Sequence, residues 1–145
     1  GSNKKVEHSF KKCQEMYINQ NLESLIIEQL KPLLDNYADE HMIGGSFMFE
    51  RFRIKKYLND GKHFFKQHTD ISSIKNCNRI LAVIIYLNDV KQGGETVISL
   101  SDKKVGIRPK TGSVLMFPAN FCFPHEGRPP ISNNKYILVT FINYS

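Results

Sequence analysis

Hydrophobic residues recur at helical spacing in the first third of the chain. Residues 22–39 carry an apolar side chain at every third or fourth position, which predicts an amphipathic helix with Asn21 as its N-cap. Pro32 lies inside this pattern and lacks a backbone N–H, so two shorter helices are an alternative. Residues 3–20 mix polar and apolar side chains, and we interpret them as a helix or an irregular lead-in.

After Gly44-Gly45 the hydrophobic pattern changes to short strands with turns between them. Strands are predicted at residues 46–57, 64–68, 80–87, 96–98, 105–107, 114–117 and 136–142. The run at 80–87 is apolar almost throughout, which indicates a central strand covered on both faces. Because turn signals recur at short spacing and no helical pattern separates the strands, an alternating parallel α/β fold is disfavoured.

The order of helices before strands favours an antiparallel sandwich or barrel with helices against one outer face. A double-stranded β-helix, a jelly-roll or cupin-like fold with a ligand-binding mouth, fits this order. At 145 residues the chain is expected to form a single domain. Within it, we expect an N-terminal helical region at 1–45 to pack on a β-helix core at 46–145. The predicted fold class is therefore an all-β core with N-terminal helices.

Composition narrows the expected location of the protein. The chain is 41% hydrophobic and 23% charged, as in globular proteins, and no apolar run approaches a membrane span. Three scattered cysteines fit a reducing compartment better than a disulfide framework. The start shows no signal peptide, so we expect a cytoplasmic location, or the host cytoplasm for a viral protein. We interpret Gly1-Ser2 as an expression remnant, which leaves the native N-terminus open.

The net charge of +6 permits nucleic acid or an acidic partner. The lysines are spread along the chain in pairs, however, and form no long basic block. We therefore favour a solvated surface over a functional basic groove, and a nucleic-acid partner is disfavoured.

His68 and Asp70 form a His-x-Asp pair at the end of a predicted strand. Residues i and i+2 of a strand point to the same face, so both side chains could bind one ion. A distant histidine, His125, would complete two imidazoles and one carboxylate, the ligand set of non-haem Fe(II) oxygenases. Taken alone, His-x-Asp is more often an exposed pair at a strand end, so the interpretation depends on further residues.

Lys135 lies ten residues after His125, at the start of the last predicted strand. It alternates with Ile137 and Val139 and so shares a face with residues that look buried. A lysine that points into a barrel needs an anion, and a carboxylate of 2-oxoglutarate would serve. The alternative is that the ammonium group reaches solvent from the strand end.

Residues 54–145 resemble the 2-oxoglutarate-dependent prolyl 4-hydroxylase family. The family pattern is His-x-Asp, a distal His and a Lys ten residues later, which His68-Thr69-Asp70, His125 and Lys135 match in order and spacing. Flanking stretches also match, namely Arg79 through Tyr86-Leu87-Asn88, Gly93-Gly94-Glu95-Thr96, Pro109-Lys110-Thr111-Gly112-Ser113 and Pro124-His125-Glu126-Gly127.

The resemblance implies a double-stranded β-helix and a set of site residues. It implies that iron is bound by His68, Asp70 and His125, that 2-oxoglutarate is bound by Lys135 and Tyr86 with Thr96 and Tyr57 as weaker candidates, and that the peptide substrate contacts Arg79. Judged from the residues alone, Tyr86 is as readily a core tyrosine and Arg79 a surface charge.

The resemblance also implies an activity. Fe(II), 2-oxoglutarate and O2 would serve to hydroxylate an unactivated C–H bond, most simply in a peptidyl-proline, with ascorbate as a supporting reductant. Where plant and algal relatives carry Tyr three residues before the first ligand, this chain has Phe65, a further substrate-binding candidate. The loops at 58–63 and 71–79 are short, which leaves the size of the substrate open.

Three other functions compete with this interpretation. A hydroxylase of a free amino acid or another small molecule is the first, because short loops set no lower limit on substrate size. Alkylation-repair demethylases are disfavoured, since their last strands carry arginines and this chain has none after Arg128. A non-catalytic β-barrel binding module is opposed by the complete ligand set together with Lys135, which such a module need not keep.

Overall fold

The computed structural model describes residues 4–8 and 11–145, with one α-helix and eleven β-strands in this part of the chain. In chain order the elements are β1 (Lys4–His8), β2 (Lys11–Tyr17), α1 (Gln20–Glu40), β3 (Phe47–Phe49), β4 (Arg53–Tyr57), β5 (Phe64–His68), a 3₁₀ turn (Ile74–Asn76), β6 (Arg79–Tyr86), β7 (Thr96–Ser99), β8 (Lys104–Ile107), β9 (Val114–Pro118), β10 (His125–Gly127) and β11 (Lys135–Tyr144).

Helix α1 is continuous, and its N-cap lies two residues earlier than predicted. Asn19, rather than Asn21, is the N-cap, and its side-chain oxygen accepts a hydrogen bond from the Leu22 N–H at 2.8 Å. The alternative of two shorter helices is wrong. Pro32 and Glu28, whose carbonyl loses its helical donor, are both solvent-exposed, so water can replace the missing hydrogen bond. Within the described residues, no helix has the length and apolar character needed to cross a membrane.

The first part of the chain forms strands where a helix or irregular lead-in was predicted. β1 pairs with β2 in an antiparallel hairpin, and β2 lies in the sheet between β4 and β5. The region at 1–45 is therefore not purely helical, because β2 is part of the barrel wall. Residues 1–3, 9 and 10 lie outside the described residues.

The strands form one curled sheet in which every described pairing is antiparallel. The order along the sheet is β8-β7-β10-β5-β2-β4-β11-β6-β9, with β1 added on β2 and β3 on β11. The sheet closes partway into a half-barrel that carries α1 on its outer face. This confirms the predicted double-stranded β-helix, and α1, the single α-helix of the described residues, lies against its outer face.

The central strands β6 and β11 are covered on both faces. On β11, Leu138 and Ile142 pack towards Leu30 of α1, whereas Ile137 and Val139 face the interior of the half-barrel. This confirms the interpretation of residues 80–87, since alternate side chains of β6 divide between the same two clusters. The predicted strand at 46–57 is interrupted and forms β3 and β4.

Candidate active site

A cavity of about 490 Å³ opens on the inner face of the half-barrel. Side chains from β4, β5, β10 and β11 line it, so that its walls belong to strands far apart in sequence. The residues predicted for iron and 2-oxoglutarate that line this cavity are His68, Asp70, His125, Lys135, Thr96 and Tyr57. A site of this depth, formed by regular strands, holds its side chains in fixed positions.

The sheet brings together the three residues predicted to bind iron. His68 and His125 are paired residues in the ladder between β5 and β10, and Asp70 follows just beyond the end of β5. Asp70 Oδ1 lies 3.5 Å from His68 Nε2, and Asp70 Oδ2 lies 3.4 Å from His125 Nε2. The three ligand atoms all lie within 4.8 Å of one another.

Backbone carbonyls fix the orientation of both imidazoles. His68 Nδ1 donates to the Lys66 carbonyl at 2.8 Å, and His125 Nδ1 donates to the Phe123 carbonyl at 3.1 Å. Because a carbonyl can only accept, each Nδ1 must carry the proton, which leaves the Nε2 lone pair directed at Asp70. This is the arrangement that orients histidine ligands in metal sites.

Aromatic rings pack against both histidines. Phe65 stacks on the His68 ring at 3.5 Å between centroids, and Phe117 meets His125 edge-on at 4.7 Å. Burial lowers the pKa of His125, and the His68 ring opposes its protonation, although Asp70 favours it. The net effect is a lowered pKa, which favours neutral His125, the form that binds a metal.

The donor set fits a divalent metal ion. Asp70 Oδ2 is buried and has no hydrogen-bond partner among the described residues, which is costly for a carboxylate oxygen. Two imidazole nitrogens and one carboxylate on one face of a cavity match the ligand set of non-haem Fe(II) sites. A metal bound by His68, Asp70 and His125 would satisfy the unpaired oxygen.

Lys135 is buried at the inner end of the cavity, with 1% of its surface exposed. Its Nζ donates to the Gly94 carbonyl at 2.8 Å and lies 5.0 Å from the centroid of the Tyr57 ring. The ion pairs among the described residues include none to Lys135, and burial lowers its pKa to about 8 against the opposing charge of Glu95. The ammonium group therefore does not reach solvent, and it has donors to spare for an anion in the cavity.

Two consecutive glycines form the turn that holds this lysine. Gly93 and Gly94 adopt φ values of 69° and 74°, a region that L side chains rarely occupy. A side chain on Gly93 would collide with the Pro129 carbonyl, and one on Gly94 would lie 3.4 Å from Lys135 Cδ. The positive φ values therefore favour glycine at both positions, and the Pro129 carbonyl leaves no room for a side chain at Gly93.

Tyr86 and Thr96 form a buried hydrogen-bonded pair. The Tyr86 hydroxyl donates to Thr96 Oγ1 at 2.7 Å, and burial raises the pKa of Tyr86 to about 12. Thr96 lines the cavity, whereas Tyr86 lies behind it in the core. Since the Thr96 oxygen accepts from Tyr86, its own proton is available to a ligand in the cavity. Tyr57 lines the same region, and burial raises its pKa well above the ordinary value.

Arg79 lines the cavity but is already bound by protein groups. Its Nε and Nη2 donate to the two carboxylate oxygens of Glu50 at 2.7 and 2.8 Å, and Nη1 donates to the Asp70 carbonyl at 3.1 Å. The guanidinium also lies 3.7 Å from the centroid of the Phe141 ring. These contacts fix the backbone of Asp70, and contact of Arg79 with a substrate stays a prediction.

Sequence reasoning missed three cations that line the cavity: Lys11, Arg53 and Lys55. A signal was present, because Arg53 and Lys55 alternate with Tyr57 along β4 and must share its face. Lys11 could not be found, since β2 was not predicted as a strand.

Comparisons with known proteins agree with this geometry. Residues 52–143 match the family model of the 2OG-Fe(II) oxygenase superfamily. The chain is 28% identical over 155 residues to a protein of Acanthamoeba polyphaga mimivirus whose name marks it as a candidate prolyl 4-hydroxylase, covering 94% of this chain and 58% of that protein. It is 27% identical over 124 residues to prolyl 4-hydroxylase 2 of Arabidopsis thaliana, covering 65% of this chain and 41% of that protein.

A solved structure shows the same fold at low sequence identity. The crystal structure of a Pseudomonas putida prolyl-4-hydroxylase superposes with a TM-score of 0.82 at 19% identity, covering 99% of this chain and 77% of that one. The chain spans less than two thirds of the length of either curated relative. Because the family model matches well over half of the sequence, and because the fold agrees, the protein belongs to the 2OG-Fe(II) oxygenase superfamily.

Proposed function

We propose that this chain catalyses the Fe(II)- and 2-oxoglutarate-dependent hydroxylation of a peptidyl-proline. The observation that carries the proposal is the cavity in which an unpaired Asp70 oxygen faces two oriented imidazoles while a buried Lys135 supplies a cation at the other end. Membership of the superfamily supports the cofactors, and the two curated relatives support proline as the target.

His68, Asp70 and His125 would hold Fe(II). When bound together with 2-oxoglutarate and O2, the metal supplies the oxidising power that hydroxylates a C–H bond while 2-oxoglutarate is converted to succinate and CO2. The chain contributes fixed ligand positions, because both Nδ1 atoms are held by backbone carbonyls. It also keeps His125 neutral by burial, so that its Nε2 is ready to bind.

Lys135 would hold the distal carboxylate of 2-oxoglutarate. Its ammonium group lies in the cavity with only the Gly94 carbonyl as a hydrogen-bond acceptor among the described residues, and the Thr96 hydroxyl can donate beside it. The low-dielectric surroundings strengthen such an ion pair, and they exclude water from the buried end of the cavity. Tyr86 positions Thr96 from behind, and the Tyr57 ring forms the adjoining wall.

Substrate recognition would take place beside His68. Phe65 stacks on the imidazole and so forms part of the surface that a target proline would meet. A flat aromatic surface next to the metal suits the apolar face of a proline ring.

The proposal is tested by incubating the protein with Fe(II), 2-oxoglutarate, ascorbate and a panel of proline-containing peptides and free proline. We expect succinate to form and one peptide to gain the mass of one oxygen atom only when 2-oxoglutarate is present. His125→Ala should abolish both signals, whereas His41→Ala, an exposed histidine against Tyr37 and outside the cavity, should keep them. Succinate formed by His125→Ala as fast as by the parent would refute the metal assignment, and hydroxylation of free proline alone would refute the peptide substrate.

A further inference from the structure

One wall of the cavity carries an excess of positive charge that the proposed cofactors do not use. This cationic wall consists of Lys11, Arg53 and Lys55. We propose that it binds a carboxylate of the substrate, so that the target residue lies in an acidic peptide segment with Asp or Glu next to it. The proposal rests on the proposed function, because it names the substrate class of the same site.

The ladder between β4 and β11 places the wall outside the region of Lys135. Lys135 pairs with Tyr57, and Ile137 pairs with Lys55 two residues further along the strands. Two residues of a strand span about 7 Å, so Lys55 lies roughly that far from Tyr57 along β4. Exposure rises in the same direction, since Lys55 is 6% exposed and the Arg53 side chain 26%. The wall therefore leads from the proposed 2-oxoglutarate end towards the mouth.

Among the described residues, the cations of this wall form ion pairs with a single carboxylate. Lys11 Nζ lies 2.8 Å from Glu15, and Arg53 Nη1 lies 4.0 Å from another oxygen of the same carboxylate. The nearby Glu50 is held by the two hydrogen bonds of Arg79, although it also feels the charge of Arg53. With Arg79 included, these four cations together contact two carboxylates among the described residues, those of Glu15 and Glu50.

Lys55 is the cation of this wall that has no carboxylate partner among the described residues. The hydrogen bonds and ion pairs of the described residues include none to its side chain, although its residue is 6% exposed. Burial lowers the pKa of Lys55 to about 7, and the charge of Lys11 acts in the same direction, whereas Cys13 and Glu15 oppose them. Burying an unpaired ammonium group destabilises a fold, and an apolar side chain would fill the same space without that cost. A carboxylate of a bound ligand would form an ion pair with Lys55.

The wall lies next to the proposed metal ligands. Lys11 Nζ and Lys55 Nζ lie 5.2 and 5.4 Å from the centroid of the Phe65 ring, and that ring stacks directly on His68. An anion bound between the two lysines would therefore be close to the position of the target C–H bond. Because Lys135 is proposed to hold the distal carboxylate of 2-oxoglutarate, the wall is available to the substrate.

A peptide carboxylate suits the wall better than a nucleic acid. Lys55 lies inside a cavity of about 490 Å³, which admits a side chain and a short turn of chain but no duplex. Specific binding of a phosphate backbone would instead use an extended basic surface. A single-stranded oligonucleotide is nevertheless included below as a competitor.

The test measures binding, so that it does not depend on turnover. The protein is loaded with Mn(II) and 2-oxoglutarate, and fluorescence anisotropy reports the Kd of labelled peptides in which a proline is flanked by Glu, by Gln or by Lys. Below about pH 7, where Lys55 is protonated, the Glu peptide is expected to bind about tenfold more tightly than the Gln peptide, and the Lys peptide more weakly than either.

A neighbouring lysine provides a matched control. Lys55→Met should remove most of the preference for Glu over Gln, and Arg53→Met should reduce it independently. Lys56→Met makes the same change in net charge, but Lys56 is on the other face of β4, where it lies over the Tyr136 ring. The Lys56→Met protein should keep the preference of the parent.

Each other outcome overturns the inference. Equal Kd values for the Glu and Gln peptides would exclude the wall as a carboxylate site. An equal loss in the Lys55→Met and Lys56→Met proteins would show non-specific attraction, and stronger competition by an oligonucleotide than by the Glu peptide would indicate nucleic acid. A rise in the Kd of 2-oxoglutarate alone in Lys55→Met would assign Lys55 to the cofactor. Separately from these outcomes, succinate formation by the parent with the panel of proline-containing peptides is measured in parallel, because its absence would refute the proposed function while the peptide preference could still stand.

Discussion

His68 and His125 are directly opposed in the antiparallel ladder of β5 and β10, with their ring centroids 4.3 Å apart. Their separation is therefore set by strand register and not by a loop. A slip of one residue would turn one imidazole to the opposite face of the sheet, so the register that builds the barrel also builds the candidate metal site.

Asp70 is expected to contribute to metal affinity more than to folding. Asp70→Asn removes the negative charge beside two imidazoles, and we expect the affinity for Mn(II) or Zn(II) to fall by at least about tenfold. Since Asp70 Oδ2 has no hydrogen-bond partner in the metal-free fold, the thermal unfolding of the metal-free protein should change little. Isothermal titration calorimetry and thermal unfolding measure the two effects.

The control for this experiment is Asp102→Asn, a change of equal charge at an exposed loop position. It should leave the metal affinity unchanged. If Asp70→Asn bound metal as tightly as the parent, Asp70 would not be a ligand. If it unfolded at a much lower temperature without metal, its role would be structural.

Lys135 is expected to make the binding of 2-oxoglutarate dependent on pH. The pKa of Lys135 is about 8 in the free protein, and a bound carboxylate favours the charged form. Above about pH 8 the free lysine is increasingly neutral, so the Kd of 2-oxoglutarate should rise by roughly tenfold per pH unit. Calorimetric titration of the Mn(II)-loaded protein between neutral and alkaline pH measures this slope.

Lys135→Arg separates charge from shape in the same titration. Arginine stays protonated throughout this range, so the variant should bind 2-oxoglutarate more weakly at neutral pH but lose the alkaline slope. Lys135→Met should bind weakly at every pH. An unchanged slope in Lys135→Arg would assign the pH dependence to another group.

The central strands could be predicted from the sequence because apolar side chains pack on both of their faces. β6 and β11 are buried on both faces, so their sequence pattern is nearly continuous. The ends of β5 and β11 were located well enough to place His68 at the end of one strand and Lys135 at the start of the other. The pairing of His125 with His68 could not be read from the chain, because long-range register leaves no local signal.

β2 escaped prediction because charged side chains stand on its inward face, where Lys11 lines the cavity and Cys13 packs into the core. Lys11, Cys13 and Glu15 alternate with outward residues, and two of these three inward side chains are charged. The alternation of apolar and polar residues that usually marks a strand is therefore missing from β2. The lysines are dispersed along the sequence, and only the fold brings Lys11 and Lys55 together at the cavity.

Lys55 is expected to make the ligand-free protein less stable at neutral pH than in alkali. In the unfolded chain a lysine stays protonated up to about pH 10.4, whereas folded Lys55 releases its proton near pH 7. Below pH 7, Lys55 is charged in both the folded and the unfolded protein, so the full cost of burying its charge lowers the free energy of unfolding. Between these values the unfolded state binds more protons, so the free energy of unfolding should rise with pH, and Lys135 acts with the same sign above about pH 8.

Lys55→Met should therefore stabilise the ligand-free protein, by about 1–4 kcal/mol at or below neutral pH, and flatten its pH dependence. Urea unfolding monitored by circular dichroism from weakly acidic to alkaline pH measures both effects. Lys56→Met, on the other face of the strand, should alter neither. A Lys55→Met protein less stable than the parent would mean that Lys55 already has a favourable partner in the fold.

Arg79 is expected to contribute both to the stability of the fold and to the metal affinity of the site. Burial favours the protonated form of Glu50, but the hydrogen bonds from Arg79 outweigh it and lower the pKa of Glu50. Arg79→Met would leave Glu50 without these donors, so we expect a loss of about 1–3 kcal/mol in the free energy of unfolding. Because Arg79 also binds the Asp70 carbonyl, metal affinity should fall by about tenfold.

A double-mutant cycle with Glu50→Gln separates the two effects of Arg79. If Glu50 contributes only by holding the guanidinium, the stability losses of the single variants should not add, because both remove the same pair. The loss of metal affinity should be larger in Arg79→Met than in Glu50→Gln, since Arg79 donates a hydrogen bond directly to the Asp70 carbonyl. An Arg79→Met protein that is destabilised but binds metal as tightly as the parent would limit Arg79 to a structural role and leave Asp70 positioned by its own strand.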